Sequence, residues 1–365
     1  MKAIVLAGGY ATRLRPISYA LPKLLFPVLG KPMIHWTLDL LKDYGIDEVV
    51  LAVNYLADTL RAKLGDEYRG IRIHYSLENI PLGTGGPLKL ASQKIRLKDT
   101  FIAMNGDVIA EVDLAQMLDR HENAKATVTD ALHEVRDPTR FGVVQLDSNR
   151  RIRRFAEKPS LKEAPSRLVN AGIYMIDTSV LRMIPAGRKV SLEREIFPVL
   201  AKKKSLIGFP FEGHWFDIGS LSDYQKANLA LLQKQSRRPI VQHGRPWLVK
   251  DLRPFTPFLL GEHSTVEKSA RVGPNVVLGD NCRVGSGARI INSILFDEVA
   301  IGKETVVAGA IIASNVMIGN KVKIEPGAVI SPNVQISDGV KIRRKAMIHP
   351  YKEITKNVAT GMQVM

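Results

Sequence analysis

Cysteine is nearly missing from this sequence: Cys282 stands alone. No intrachain disulfide can form, and a cysteine metal cluster is excluded. Such cysteine usage suits a cytoplasmic protein. Long apolar runs are missing too, and none approaches the ~20 residues that a membrane-spanning helix needs. Met1 and Lys2 lead straight into a strand-like segment, with neither the apolar region nor the small-residue cleavage site of a signal peptide. Acidic residues are the minority, 36 against 52 Lys and Arg, which leaves a net charge of +16. A field of that sign attracts anions. Nucleic acids, nucleotides and sugar phosphates all qualify. The basic clusters Arg150–Arg154, Lys202–Lys204, Arg237–Arg238 and Arg343–Lys345 are scattered along the chain. None has the interleaved aromatics of a nucleic-acid stacking groove, so nucleic acid is not the expected partner.

What is present falls into two halves with different periodicities. Up to about Leu232 strand-like and helix-like segments alternate. Lys2–Ala7 reads as a buried strand, Pro32–Tyr44 as a helix ended by Gly45, Glu48–Val53 as a strand and Tyr55–Leu64 as a helix. Ile71–Tyr75, a helix over Gly86–Ile95 and the strand Phe101–Met104 continue the rhythm. This βαβαβ order predicts an α/β, Rossmann-like, mainly parallel sheet covered on both faces. Short strands between Thr127 and Met175 predict an extension of that sheet, and Ser220–Leu232 a closing helix.

The second half repeats every six residues. Ile318, Ile324, Ile330, Ile336, Ile342 and Ile348 keep one phase, as do Val272, Leu278, Val284 and Ile290 earlier. A small apolar residue stands two positions before each, Cys282 among them. Glycine follows several, at Gly273, Gly279, Gly285, Gly302 and Gly319. A hexapeptide period marks a parallel β-helix, with three short strands per coil and one aliphatic of each pointing inward. The phase slips between Ile290 and Ile318, and His349 closes the series. The expected organisation is a first domain over 1–232, a Pro- and Arg-rich linker over Gln233–Phe258, and a β-helix over 259–365.

Three stretches carry chemistry. Leu6-Ala7-Gly8-Gly9-Tyr10-Ala11-Thr12-Arg13 follows the first strand. Its glycines allow close backbone approach, successive N–H groups can form an anion nest, and Arg13 and Arg15 can grip phosphate. The loop is neither G-x-G-x-x-G nor a Walker A sequence, which would end in G-K-[ST]. Lys23 follows in a segment that reads as extended. Asn105-Gly106-Asp107 falls where a buried strand ends, the edge at which open α/β sheets bind ligands. A carboxylate there suits Mg²⁺ shared with substrate phosphates. Asp217 is a second acid at the end of an apolar segment. No histidine reads as catalytic: His35 falls within a helix, and no acetyltransferase-like histidine motif accompanies the β-helix.

Taken in order, LAGGYATRLRP, PKLLFPVLGKPM, PLGTGGPL, MNGDV, FGVV, FAEKP, NAGIY, SLEREIFP and WFDIGSLSDY resemble the sugar-1-phosphate nucleotidylyltransferases, most of all the GDP-mannose pyrophosphorylases. The repeats resemble the left-handed β-helix that such enzymes carry. The resemblance implies transfer of a nucleoside monophosphate from a triphosphate to a sugar-1-phosphate, with Mg²⁺. It implies that Leu6, Ala7, Gly8, Gly9, Thr12 and Gly83 border the nucleotide, that Arg13 and Lys23 face its phosphates, and that Asp107 and Asp217 hold the metal. It implies that Gly142, Glu157, Lys158, Asn170 and Gly172 surround the sugar phosphate. Uridylyl or thymidylyl transfer to glucose-1-phosphate stays open, because Asn-Gly-Asp replaces the Asn-Ser-Asp common in the mannose enzymes. So does a non-catalytic nucleotide-sugar-binding subunit, although the charged groups are all retained. Ala11 stands where the family loop often has glycine, a place its methyl fits if φ is negative. The open ends of a β-helix need capping or a partner, so a homo-oligomer is expected through the second half.

Overall fold

The computed structural model describes residues 1–235, 240–241 and 257–365. Most of the linker expected over Gln233–Phe258, with Arg237–Arg238, lies outside them. Contacts divide the chain into two units, Met1–Tyr10 with Met33–Asp217, and Ala11–Pro32 with Ile218–Met365.

The first unit is built on β1 (Ala3–Leu6), β2 (Glu48–Val53), β3 (Glu67–Tyr68), β4 (Ile71–Leu77) and β5 (Thr100–Asn105). After the short β6 (Val108–Ala110) come β7 (Val128–Glu134), β8 (Gly142–Leu146), β9 (Ile152–Glu157), β10 (Leu168–Asp177), β11 (Leu206–Pro210) and β12 (Trp215–Asp217). The large sheet runs β9-β8-β10-β5-β1-β2-β4-β3, with β7 on β10 and β11 on β7. Its centre, β5-β1-β2-β4, is parallel. β10 joins β5 antiparallel, and β8 and β9 continue in that sense. The expected α/β class and its extension after Thr127 are both present, as one mixed sheet. β2 is buried along its whole length, as a strand covered on both faces should be. Helix α1 (Met33–Asp43) turns Met33, Ile34, Thr37, Leu38 and Leu41 inward, an amphipathic spacing, and Gly45 follows at φ 72°.

Because β1, β4 and β5 are parallel, their carboxyl ends share one edge. Gly8 follows β1, Glu78 follows β4 and Asp107 follows β5. Hydrogen bonds tie these exits together: Ala7 N–H donates to Ala52, Glu78 N–H to Val53 and Gly106 N–H to Leu6.

The second unit is the parallel β-helix, of the left-handed hexapeptide type, with three sheets of parallel two- and three-residue strands. Its core stacks the repeat aliphatics, Ile318, Ile324, Ile330, Ile336, Ile342 and Ile348 among them. The phase slip has a simple cause. Ile311 pairs with Val329 one coil on, whereas Val277 pairs with Ile294 and Ile294 with Ile311, coils one residue shorter. The repeat does not close at His349. Glu353–Ile354 and Gln363–Val364 add further strands, reached through a shorter turn in which Val358 fills the core. A side chain on Gly302 would run into the backbone of Gly319 in the next coil, hence the glycine. Cys282 is buried, and burial pushes its thiol up to about 12.

Ala11–Pro32 belongs to this second unit. Phe26 is fully buried, edge-on to Tyr224 of the helix Leu221–Gln235 and to Phe296 of the β-helix. Leu29 N–H donates to Asn228 Oδ1 at 2.9 Å, and Tyr19 stacks on His349, 5.2 Å between centroids.

Candidate active site

The exits of β1, β4 and β5 line a cavity of 210 Å³ in the first unit. Leu6, Gly8, Gly83 and Asp107, four of the expected site residues, are in its wall, with Glu78, Thr84, Pro87 and Asn105. Gly8 is dictated by crowding, since a Cβ there would stand 2.6 Å from Glu78 Oε1. Gly83 has φ 80°, and a Cβ would collide with the Val190 carbonyl. Gly9 has open space around its Cα.

Glu78 is the residue that sequence reasoning missed. It is 7% exposed, its carboxylate accepts from Leu82 N–H at 3.1 Å, and burial raises its pKa. A signal existed: Glu78 directly follows a strand and precedes Pro81-Leu82-Gly83, so it exits at the edge that also carries Gly8 and Asp107. A lone glutamate beside a loop, with no motif around it, otherwise reads as a solvated charge.

The backbone places Asp217 near Asp107, although the two are far apart in the chain. Asp217 is paired with Val108, the residue after Asp107, in the ribbon of β6 and β12. Among the described residues no group of three or more His, Cys, Asp or Glu side chains converges to hold an ion. Both residues carry carboxylates, which are hard oxygen donors. That suits an ion which takes its other ligands from phosphate and water, as Mg²⁺ does.

The sugar-phosphate candidates fall into two sets. Asn170 Oδ1 accepts from Gly172 N–H at 2.7 Å, and its amide donates to the Tyr174 hydroxyl at 2.8 Å. Gly172, at φ 74°, leaves room for the Asn105 amide, 2.5 Å from where a Cβ would stand. Trp215 donates its indole N–H to the Ala171 carbonyl at 3.0 Å. Asn105, Gly172, Ala171 and Trp215 thus form one chain of contacts, and Asp217 stands two residues after Trp215 on the same strand. Gly142 pairs with Glu157 across β8 and β9, with Phe155 and Glu157 over the space a Cβ would take. Lys158 sits at φ 50°, which few non-glycine residues adopt, with its Nζ 3.6 Å from Glu157 Oε1.

Thr12, Arg13 and Lys23 lie in the second unit. Thr12–Leu14 is one turn of 3₁₀ helix, and Leu14 N–H donates to Ala11 O at 2.9 Å. Arg13 packs on Gly219, two residues after Asp217: a Cβ there would stand 2.8 Å from Arg13 Nη2. One local expectation fails. Lys23 is not extended but opens the 3₁₀ turn Lys23–Leu25 after Pro22. Ala11 does not take a negative φ. It sits at φ 45°, ψ 39°, left-handed helical, because the chain must reverse there into Thr12–Leu14. Ser18 Oγ fixes it by donating to its carbonyl at 2.9 Å.

Known sequences and structures resemble this chain. Residues 2–234 match the nucleotidyl transferase family and residues 255–364 the GMPPB C-terminal domain. Mannose-1-phosphate guanylyltransferase 1 of Arabidopsis thaliana is 35% identical over 331 residues, 89% of each chain. Mannose-1-phosphate guanylyltransferase of Mycobacterium tuberculosis is 34% identical, covering 82% of this chain and 80% of its own. HddC from Yersinia pseudotuberculosis, solved complexed with GMP-PN, superposes with TM-score 0.54 at 27% identity, over 63% of this chain and 99% of its own.

Proposed function

The chain belongs to the nucleotidyl transferase family, and from that premise we propose that it joins GTP and mannose-1-phosphate into GDP-mannose and releases pyrophosphate. The observation that carries the choice of base is Glu78. A carboxylate only accepts hydrogen bonds. Guanine offers two adjacent donors, N1–H and the N2 amino group, which match its two oxygens. Uracil and thymine offer one N–H flanked by two carbonyls, which would face the carboxylate with like charge. Adenine offers its amino group beside an acceptor nitrogen. A buried acceptor pair therefore favours guanine over every other common base, and charge-assisted pairs are the strong ones.

The chemistry needs no general base. A phosphate monoester has its second pKa near 6, so the sugar phosphate reaches the site already ionised. One of its oxygens attacks the α-phosphorus in line, that bond forms, and the bond from the α-phosphorus to the β-bridging oxygen breaks as pyrophosphate leaves. Positioning and electrostatics supply the acceleration. Lys158 is assigned to the attacking phosphate, Glu157, Asn170 and Gly172 to the sugar. Gly8, Gly9 and Gly83 are assigned to the nucleotide, with Thr12, and Arg13 and Lys23 to the triphosphate charge. Asp107 and Asp217 would hold Mg²⁺, which when bound would neutralise charge on the phosphates. Localisation in the cytoplasm and a homo-oligomer through the β-helix remain part of the reading; no described helix is long and apolar enough to cross a membrane.

Glu78→Gln tests it. The amide keeps the shape but presents one donor and one acceptor, which suits uracil better than guanine. The GTP-to-UTP ratio of kcat/KM is expected to fall by at least about 100-fold, the scale of lost charged hydrogen bonds. An unchanged ratio refutes the assignment of Glu78 to the base.

A further inference from the structure

Two of the four basic clusters, far apart in sequence, meet in the first unit. Arg151 precedes β9 and Arg153 and Arg154 lie at its start, while Lys202 and Lys204 come from the end of the helix Phe197–Lys202 and the turn beyond it. Together they line a groove of 660 Å³. Asp147 is the one acid in its wall. It is already occupied: its Oδ1 accepts from Asn149 and Arg151 N–H at 2.9 Å, and Arg153 Nε lies 3.6 Å from Oδ2. Arg151, Arg154, Lys202 and Lys204 form no ion pair among the described residues. Glu163, outside the wall, attracts Arg154; concentrating the remaining cations in one concavity still opposes folding through their mutual repulsion. An anionic occupant would relieve it.

The groove also has an apolar side. Phe155 and Pro198 contribute to it, and Phe155 is held edge-on by Phe197 at 5.8 Å. Apolar walls with a few convergent charges, at a volume within about 300–1,000 Å³, describe a small-molecule site. The groove shares no residue with the cavity lined by Glu78 and Asp107. We propose that it is a second anion site, built for a small ligand with two or three linked phosphates, such as a nucleoside di- or triphosphate. The proposal does not depend on which base or sugar the first site takes. A single aromatic face and a bounded volume favour a small polyphosphate over a nucleic-acid strand, which needs a continued track of cations and stacking faces.

The test is calorimetric titration of the full chain with inorganic tripolyphosphate at low salt. It is run on wild type, on Arg154→Ala/Lys202→Ala, and on Arg13→Ala. Wild type should show two classes of site. The double variant should lose one class, weakened at least tenfold, while Arg13→Ala weakens only the other. The substituted groove side chains are exposed, so the double variant should melt within about 2 °C of wild type, and this is checked in the same samples. GDP should bind the groove more tightly than tripolyphosphate if the apolar wall takes the base. A single class of site that the double variant leaves unchanged overturns the proposal. So does a groove that binds a single-stranded 20-mer but not tripolyphosphate.

Discussion

Asp130, in the middle of β7, is fully buried, and neither carboxylate oxygen has a hydrogen-bond partner. It lies between Tyr174 on β10 and Gly208 on β11 in the sheet register. Burial, reinforced by the negative charge of Glu193, holds its carboxyl pKa well above the ordinary 3.8. The folded carboxyl therefore stays protonated at pH values where the unfolded chain has already lost the proton. Stability is fully present below the unfolded pKa and is lost as pH rises towards the folded one, by about 1.4 kcal/mol per pH unit between the two. Asp130→Asn keeps the volume and removes the titration. The variant should match wild type near pH 4 and exceed it by a margin that grows with pH at a slope near that figure, levelling off above the folded pKa. Thermal unfolding of the full chain, followed by calorimetry at pH 4, 5, 6, 7 and 8, reads this directly. A difference between the proteins that does not change with pH, or a variant less stable at pH 8, refutes the reasoning. It would mean that the carboxylate is ionised and satisfied by something equivalent to a hydrogen-bond donor.

Ala11→Gly relieves a left-handed alanine, about 1–2 kcal/mol, against roughly 0.4–1 kcal/mol of added chain entropy in the unfolded state. Exchange of the Leu14 amide hydrogen, bonded to Ala11, should slow by a few-fold; faster exchange would show the conformation to be imposed by neighbours rather than resisted by the methyl. Asp107→Asn should lower kcat by on the order of 100- to 1,000-fold and leave the melting temperature within about 2 °C, checked by pyrophosphate release and calorimetry; near-normal turnover would remove Asp107 from the chemistry. Because the pKa of Glu78 is raised by burial and the ionised form is the one that reads guanine, KM for GTP should climb as pH falls through that pKa. The climb should be absent in Glu78→Gln, and a KM flat with pH in wild type would count against the ionised form.

Local chemistry was legible where the period is short. Six-residue spacing from Val272 to Ile348 predicts the coils, and the slip after Ile290 is the same period with one residue taken from each of two coils. The strands and helices of the βαβ rhythm are likewise local patterns, and the sheet edge carrying Gly8 and Asp107 follows from them. Long-range pairing was not legible. Nothing local announces that Trp215–Asp217 pairs with Val108–Ala110, since three-residue strands carry too little pattern to fix a partner. Backbone handedness at Ala11 and Lys158 was equally hidden, because alanine and lysine ordinarily avoid positive φ. Glu78 was missed because its meaning comes from what surrounds it in space, and the joining of Arg151–Arg154 with Lys202–Lys204 for the same reason.

The account stands on a guanine nucleotide and a mannose phosphate meeting at the edge that carries Gly8, Glu78 and Asp107. The direct measurement is pyrophosphate release by the full chain with Mg²⁺, across GTP, ATP, UTP, CTP and dTTP, each paired with mannose-1-phosphate and glucose-1-phosphate. GTP with mannose-1-phosphate should have the highest kcat/KM, at least tenfold above any other pair. A higher value for UTP or dTTP with glucose-1-phosphate, or no pyrophosphate from any pair, would contradict it.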